Sequence, residues 1–253
     1  HTESELPGKA IRVGGGSNGF LGKAVRYIGK EAHAGGAPFE GVNALNAAML
    51  GLMGIHAQRE TFRDEDSIRV HPIITKGGDL VNIVPADVRL ETYVRGRSIE
   101  AILEANKSVN RALRAGAMAV GAEVDITEIP GYLPLRSDDN LTEIFRQNAI
   151  ELIGADLVED WGGMGGSTDM GDLTHLIPGI HPVTGGIKGT AHTRTYMIAD
   201  PEAAYLVPAK VMAMTAIDLL WDQAELAQKV KREFQPAMSK REYLDMWRQL
   251  VNG

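Results

Sequence analysis

The sequence predicts two units of different class: an α+β unit of ferredoxin-like β-α-β-β-α-β order, then a C-terminal α/β unit. Three observations carry this. Asp87–Arg95 alternates strictly, with Val88, Leu90, Thr92 and Val94 on one side and Asp87, Arg89, Glu91, Tyr93 and Arg95 on the other. That is the pattern of an antiparallel strand with one covered and one open face. Two segments of helical periodicity, 41–62 and 99–121, flank that strand. After residue 134 a helical segment, a glycine-rich loop and a short apolar run follow one another, as in an α/β unit.

The elements follow in order. Residues 1–19 read as a linker ending in Gly14-Gly-Gly-Ser-Asn-Gly19, a run too glycine-rich to hold a fixed backbone unaided. Phe20–Lys30 reads as a strand. In 41–62, Val42, Leu45, Met49 and Leu52 recur at helical spacing and predict one apolar stripe. Ser67–Ile74 reads as a strand with Ile68, Val70, Pro72 and Ile74 on one face. Ser98 is placed to cap a helix running to about Gly121, with Ile102, Val109, Leu113 and Val120 inward. Ala122–Ile129 is the fourth strand. In the second unit, Leu141–Gly154 reads as a helix and Ile177–Val183 as a buried strand. Asp200-Pro-Glu starts a helix to about Trp221, with an expected kink at Pro208. Residues 223–253 read as one or two amphipathic helices.

Bulk properties narrow the function. A net charge of −7 with scattered basic residues offers no nucleic-acid footprint. No apolar run approaches the roughly 18–20 residues of a membrane span, so no membrane partner is expected. The chain has no cysteine, which excludes thiolate ligands, cysteine nucleophiles and disulfides and fits a cytoplasmic setting.

The chemistry-bearing residues lie in loops. Gly162–Gly171 delivers Ser167, Thr168 and Asp169, and Gly189-Thr-Ala-His-Thr193 delivers His192. Hydroxyls, a carboxylate and an imidazole on loops suggest a hydrolytic site. A serine-hydrolase reading is weaker, because Gly165-Gly-Ser-Thr-Asp lacks the second glycine of the nucleophile elbow. From the residues alone, His33 also reads as a turn histidine between small residues, His192 as a loop histidine near the following helix, and Arg95 as one of a solvated row with Arg89.

Five motifs occur in order: Lys30-Glu-Ala-His-Ala-Gly-Gly-Ala-Pro38, Gly77-Gly-Asp-Leu-Val-Asn-Ile-Val-Pro85, Glu91-Thr-Tyr-Val-Arg95, Gly166-Ser-Thr-Asp-Met-Gly-Asp172 and Ala191-His-Thr193. Together they resemble the metallopeptidase/amidohydrolase family of carboxypeptidase G, aminoacylase and the auxin-conjugate and aminobenzoyl-glutamate hydrolases. The C-terminal Phe234-Gln-Pro and Tyr243-Leu look most like the aminobenzoyl-glutamate branch. The resemblance implies a zinc-peptidase-type α/β catalytic domain interrupted by a ferredoxin-like lid that also dimerises. It assigns 1–14 to a linker or the end of a catalytic segment, 15–130 to the lid and 131–253 to the C-terminal part of the catalytic domain.

It also implies roles. His33 resembles the lid histidine that reaches into the partner subunit's site and steadies an oxyanion. Asn82 resembles a second polar contact from the lid, and Arg95 an arginine that grips a substrate carboxylate. Gly166, Ser167 and Thr168 resemble the loop lining the substrate cleft, and His192 the C-terminal metal ligand. The complete enzyme would be a homodimer, hold two divalent ions, zinc or manganese, and hydrolyse a small N-acyl amino acid. The family's His-x-Asp pair and Glu-Glu are not in this sequence. The chain by itself is therefore expected not to assemble the two-metal site, and a catalytically incomplete dimerisation or binding module is the alternative.

Overall fold

The computed structural model describes residues 1–4 and 6–252, with side chains as far as Leu250. In chain order its principal elements are β1 (Ile11–Val13), β2 (Gly19–Ile28), α1 (Ala44–Gln58), β3 (Arg69–Val70), β4 (Ile73–Lys76), β5 (Asp87–Gly96), α2 (Ile99–Val120) and β6 (Glu123–Tyr132). Then come α3 (Asp139–Ile153), β7 (Val158–Asp160), α4 (Met170–Thr174), β8 (Val183–Thr184), β9 (Ile187–Lys188), β10 (Met197–Ile198), α5 (Val207–Glu233) and α6 (Lys240–Asn252). The chain divides into two compact units, one of 1–17 with 135–240 and one of 18–134 with 241–253.

The 18–134 unit has the expected order. Its antiparallel sheet runs β3-β5-β2-β6, with β4 also paired to β5. The predicted strand over 67–74 is broken into β3 and β4 at His71-Pro72, because proline cannot donate to the ladder. Both pieces lie along β5, where Arg69 faces Arg95 and Ile73 faces Glu91. Val88, Leu90 and Val94 are buried as the alternation required, with Val109, Leu113 and Ala117 of α2 in the same core. Asn43 caps α1 by accepting from the amides of Leu45 and Asn46, and Ser98 caps α2 by accepting from Ala101. Gly121 ends α2 at φ 75°, a left-handed position that favours glycine.

The buried face of α1 is only in part the one the spacing suggested: Leu45 and Leu52 pack against the core as partly buried residues, but Met49 does not. Ala44, Ala47, Ala48, Gly51 and Ile55 are buried, while Met49 and Met53 are 51% and 64% exposed. The reason is the closeness of α2: a Cβ on Gly116 would lie 2.4 Å from the Ala47 carbonyl oxygen and 2.4 Å from the Gly51 amide nitrogen. Two helices that approach this closely must meet through small residues, so Met49 and Met53 turn outward.

One buried ion pair ties α2 to the sheet. Lys23 of β2, fully buried, meets Glu128 of β6 at 2.6 Å, and Asn106 and Asn110 of α2 donate to the same carboxylate at 3.0 and 2.8 Å. Burial pulls the Lys23 ammonium below its ordinary pKa, against the pull of Glu128.

In the other unit β1 lies between β7, parallel to it, and β8, antiparallel. Residues 11–13 therefore form a central strand where a linker was expected. Gly14–Gly16 serves close approach: a Cβ on Gly15 would meet the Trp161 carbonyl oxygen at 2.5 Å. Ile11, Val13, Phe145, Ala149, Val207 and Val211 form one core cluster. Of the predicted strand 177–183 only Val183 pairs, as the first residue of β8, because Pro178 and Pro182 interrupt the run. Asp200 caps the last long helical stretch, accepting from Glu202 and Ala203. A π-helical turn, Glu202–Leu206, precedes Pro208 and accommodates its ring, so the helix breaks at Trp221–Ala224 and not at the proline. Glu202–Glu233 is long and apolar enough by composition to cross a bilayer, but that break interrupts the continuous helix a span requires.

Candidate functional site

Two loops of the 18–134 unit bring His33 and Asn82 together. Residues 29–43 leave β2 and return to α1, held at their root by Lys30 and Val42, which exchange backbone hydrogen bonds of 2.9 and 3.0 Å. A Cβ on Gly29 would sit 2.1 Å from the Val42 carbonyl oxygen, so only glycine fits this crossing. The loop between β4 and β5 then pairs with the first. The Ala34 amide donates to the Asn82 carbonyl and the Val84 amide to the Ala32 carbonyl, each at 2.9 Å, with His33 bridged to Ile83.

His33 is exposed, and its ring is held in one orientation. Its Nδ1 accepts the backbone N–H of Gly35 at 3.2 Å and of Gly36 at 3.0 Å. Both donors require a lone pair on Nδ1, so the proton of the neutral ring sits on Nε2 and that N–H points away from the turn. The flanking glycines lie close to the ring, 3.5–3.6 Å from where their Cβ atoms would be. Beside the two loops is a cavity of about 530 Å³, lined by Pro38, Leu45, Leu80, Val81 and Pro85 among others. Neither His33 nor Asn82 lines it.

Arg95 is elsewhere. It lies at the far end of β5 from the Asn82 loop, eight residues beyond Asp87, roughly 26 Å along an extended strand. Its guanidinium carbon sits 5.5 Å from the ring centres of both Phe20 and Tyr93. The two rings are 4.5 Å apart, and Tyr132 meets Phe20 edge-on. This distinguishes Arg95 from Arg89, which pairs with Asp87. Burial, then the charges of Arg95 and Arg59, lower the pKa of the neighbouring His71.

In the other unit the glycine loop is rooted on 15–17. The Met164 amide donates to the Gly16 carbonyl at 2.9 Å, and a Cβ on Gly163 would lie 2.6 Å from the same oxygen. Gly166, Ser167 and Thr168 are half-buried. Thr168 starts α4: its Oγ1 accepts from the Met170 amide at 3.4 Å and donates to Asp169 at 3.3 Å. His192 lies in the turn between β9 and β10, exposed and at φ 62°. Thr193 closes that turn by donating to the Thr190 carbonyl at 2.7 Å.

His175 is a packing residue, buried, with Nδ1 2.8 Å from the Gly171 carbonyl oxygen, and His56 accepts from Arg59 on the α1 surface. His181 is the feature the sequence did not single out. It lines a cleft of about 390 Å³ with Ile11, Phe145, Ile180 and Met212. Its ring centre is 5.7 Å from that of His1, and its buried Nδ1 has no partner among the described residues. Burial holds its pKa low, opposed by Asp169. Nothing in the run Gly179-Ile-His-Pro marks it as different from any other loop histidine.

The expected metal ions do not fit the residues of this chain taken alone. Among the described residues, no three His, Asp or Glu side chains gather into a donor set.

The 18–134 unit is thus a five-stranded antiparallel sheet packed with two helices, presenting a ring-fixed histidine from its loops. Residues 15–120 match the family described as the peptidase dimerisation domain. The chain as a whole resembles peptidases and amidohydrolases. It is 35% identical over 231 residues to the Xaa-Arg dipeptidase of Mus musculus, covering 87% of this chain and 52% of that protein. It is 28% identical over 135 residues to a p-aminobenzoyl-glutamate hydrolase homolog of Haemophilus influenzae, covering 50% of this chain and 30% of that one. Its fold matches the aminobenzoyl-glutamate utilization protein of Klebsiella pneumoniae with a TM-score of 0.68 at 19% identity, over 88% of this chain and 55% of that one. The chain spans about half the length of the curated dipeptidases it matches.

Proposed function

We propose that this chain is the lid and C-terminal catalytic portion of a metal-dependent amidohydrolase that acts as a homodimer. Its substrate is an amide joining an acyl or aminobenzoyl group to an amino acid such as glutamate. The likeness to Xaa-Arg dipeptidases extends that class to dipeptides. The observation that carries the reading is the His33 tautomer. Two backbone amides occupy Nδ1, so the outward Nε2–H is a donor and cannot act as a base. A fixed donor aimed at the oxygen of a tetrahedral intermediate contributes about 2.7–4 kcal/mol to catalysis.

A partner subunit would receive that donor. Support for the homodimer lies in the apolar side chains the lid shows to solvent: Met49 and Met53 on α1, Ile73 and Ile74 on the edge strand β4, and Leu80 and Val81 in the Asn82 loop. An edge strand with free backbone groups is a ready template for pairing. Arg95 would hold the substrate carboxylate in a planar, two-bond grip, its guanidinium seated over the Phe20 and Tyr93 rings. Gly166, Ser167 and Thr168 would line the cleft. His192 would contribute one ligand to a pair of zinc or manganese ions, the remaining ligands coming from the half of the relatives' length that this chain does not span. Exposed Met212, Ile217 and Leu220 on α5 are the kind of face such a half covers.

The test is His33→Ala in a protein extended to the relatives' full length. Turnover should fall by about 10²–10³ with metal content unchanged. Unchanged turnover would sink the role of His33. A second reading, that the chain is a catalytically incomplete dimerisation or binding module, is favoured because no donor cluster gathers among the described residues. Purified chain that dimerises but binds no divalent metal and cleaves no N-acyl amino acid or dipeptide would support it.

A further inference from the structure

The open face of the sheet in the 18–134 unit treats its basic residues differently at its two ends. At the Asp87 end, Arg26, Arg89 and Lys76 converge on one carboxylate. At the other end the order across the sheet is Arg69, Arg95, Phe20 and Tyr132, one residue each from β3, β5, β2 and β6. Directly opposite residues of an antiparallel sheet point to the same side, with Cβ atoms about 5 Å apart. Arg69 and Arg95 therefore stand side by side. Like charges placed this way are destabilising. Packing does not call for the arrangement, because Arg69 is exposed and adds nothing to the core.

Three further observations mark this corner as electropositive. Arg69 donates to the Ile68 carbonyl at 3.0 Å and has no carboxylate partner among the described residues. Arg59, just past the end of α1, donates to the Val70 carbonyl at 2.6 Å, which holds a third guanidinium against β3. In the next row, the ring of His71 meets that of Tyr93 edge-on with centres 5.8 Å apart. That imidazole is held below its ordinary pKa by burial and then by the charges of Arg95 and Arg59, so the field of the arginines is felt where His71 stands.

We propose that Arg69 is a specificity-determining residue that takes a second carboxylate beside the one held by Arg95, so that the amino-acid part of the substrate is a dicarboxylate of the glutamate type. Two carboxylates joined by three carbons suit side chains rooted about 5 Å apart. The inference rests on the carboxylate grip proposed for Arg95, and it chooses between the substrates that reading leaves open. A dipeptide ending in a cationic side chain would set its charge against Arg69. All the residues involved lie in the 18–134 unit.

Glutarate and its monoamide glutaramate, which differ only in the second charge, are titrated into the full chain at low salt. The reporter is the NMR signal of the His71 ring, assigned with His71→Gln. At about pH 7.5 that ring is neutral, so the arginines alone supply the charge. The expected result is about fivefold tighter binding of glutarate, the upper end for an exposed ion pair. The preference should fade in about 0.5 M salt. Arg69→Gln should bring the two ligands to equal affinity, and Arg95→Gln should weaken both. Equal affinities in the unaltered chain, or a preference that survives Arg69→Gln, overturn the role of Arg69 and leave the Arg95 grip standing. If neither ligand moves the His71 signal, the grip itself fails and the proposal falls with it.

Discussion

The backbone amide of Gly36 donates to Nδ1 of His33 at 3.0 Å, and that bond decides what the imidazole can do. With Gly35 adding a second donor, the ring presents a proton and not a lone pair. The arrangement therefore predicts a hydrogen-bond donor and excludes a general base at this position. Long-range proton–nitrogen NMR of the neutral ring should find Nε2 protonated and Nδ1 bare. A proton on Nδ1 would remove the basis of the oxyanion reading.

The Lys23–Glu128 pair predicts an order of damage. Lys23→Met leaves one carboxylate that still receives Asn106 and Asn110 and keeps some contact with solvent. Glu128→Leu strands a fully buried ammonium and two buried amides together. Removing one member of a buried pair costs about 3–5 kcal/mol, and Glu128→Leu should be the costlier of the two. Urea unfolding of the two variants checks this; a reversed order would contradict the network.

Asp87 predicts an acid limb. Arg26 at 2.7 Å, then Arg89 at 3.0 Å and Lys76 at 3.2 Å hold its carboxyl well below the usual carboxylate range. A carboxyl with a depressed folded pKa stabilises fully above its unfolded value of about 3.9 and loses that contribution as pH falls further. Stability of the unaltered chain should therefore drop between about pH 5 and pH 2. Asp87→Asn should be less stable near neutrality and show a flatter decline. Parallel declines in thermal melts across that range would rule out Asp87 as the source.

Much of the 18–134 unit was legible because its signals are local. The Asp87–Arg95 alternation and the Ser98 cap both act within a few residues, and both took the form their sequence required. What stayed hidden depends on partners distant in sequence. The inward face of α1 is set by Gly116 on α2, which inverts the role of Met49. The glycines at 14–16 look flexible in sequence and are packed against residues 161–163 in space. α6 read correctly as amphipathic, but no local pattern tells that its apolar side meets Phe20 and Leu133. In the candidate site, the pairing of His33 with Asn82 needed two loops to be zipped together, and the aromatic seat of Arg95 needed β2 and β5 in register.

Subunit mixing tests the central claim most directly. Two variants of the full-length protein are prepared, His33→Ala and His192→Ala, each inactive alone. In a mixed dimer the first keeps its own ligand residue and receives His33 from the second, so one complete site forms in every mixed pair. The account predicts that activity returns on mixing under conditions where subunits exchange. Verified mixed dimers without activity would mean that His33 serves its own subunit or none, and would contradict it.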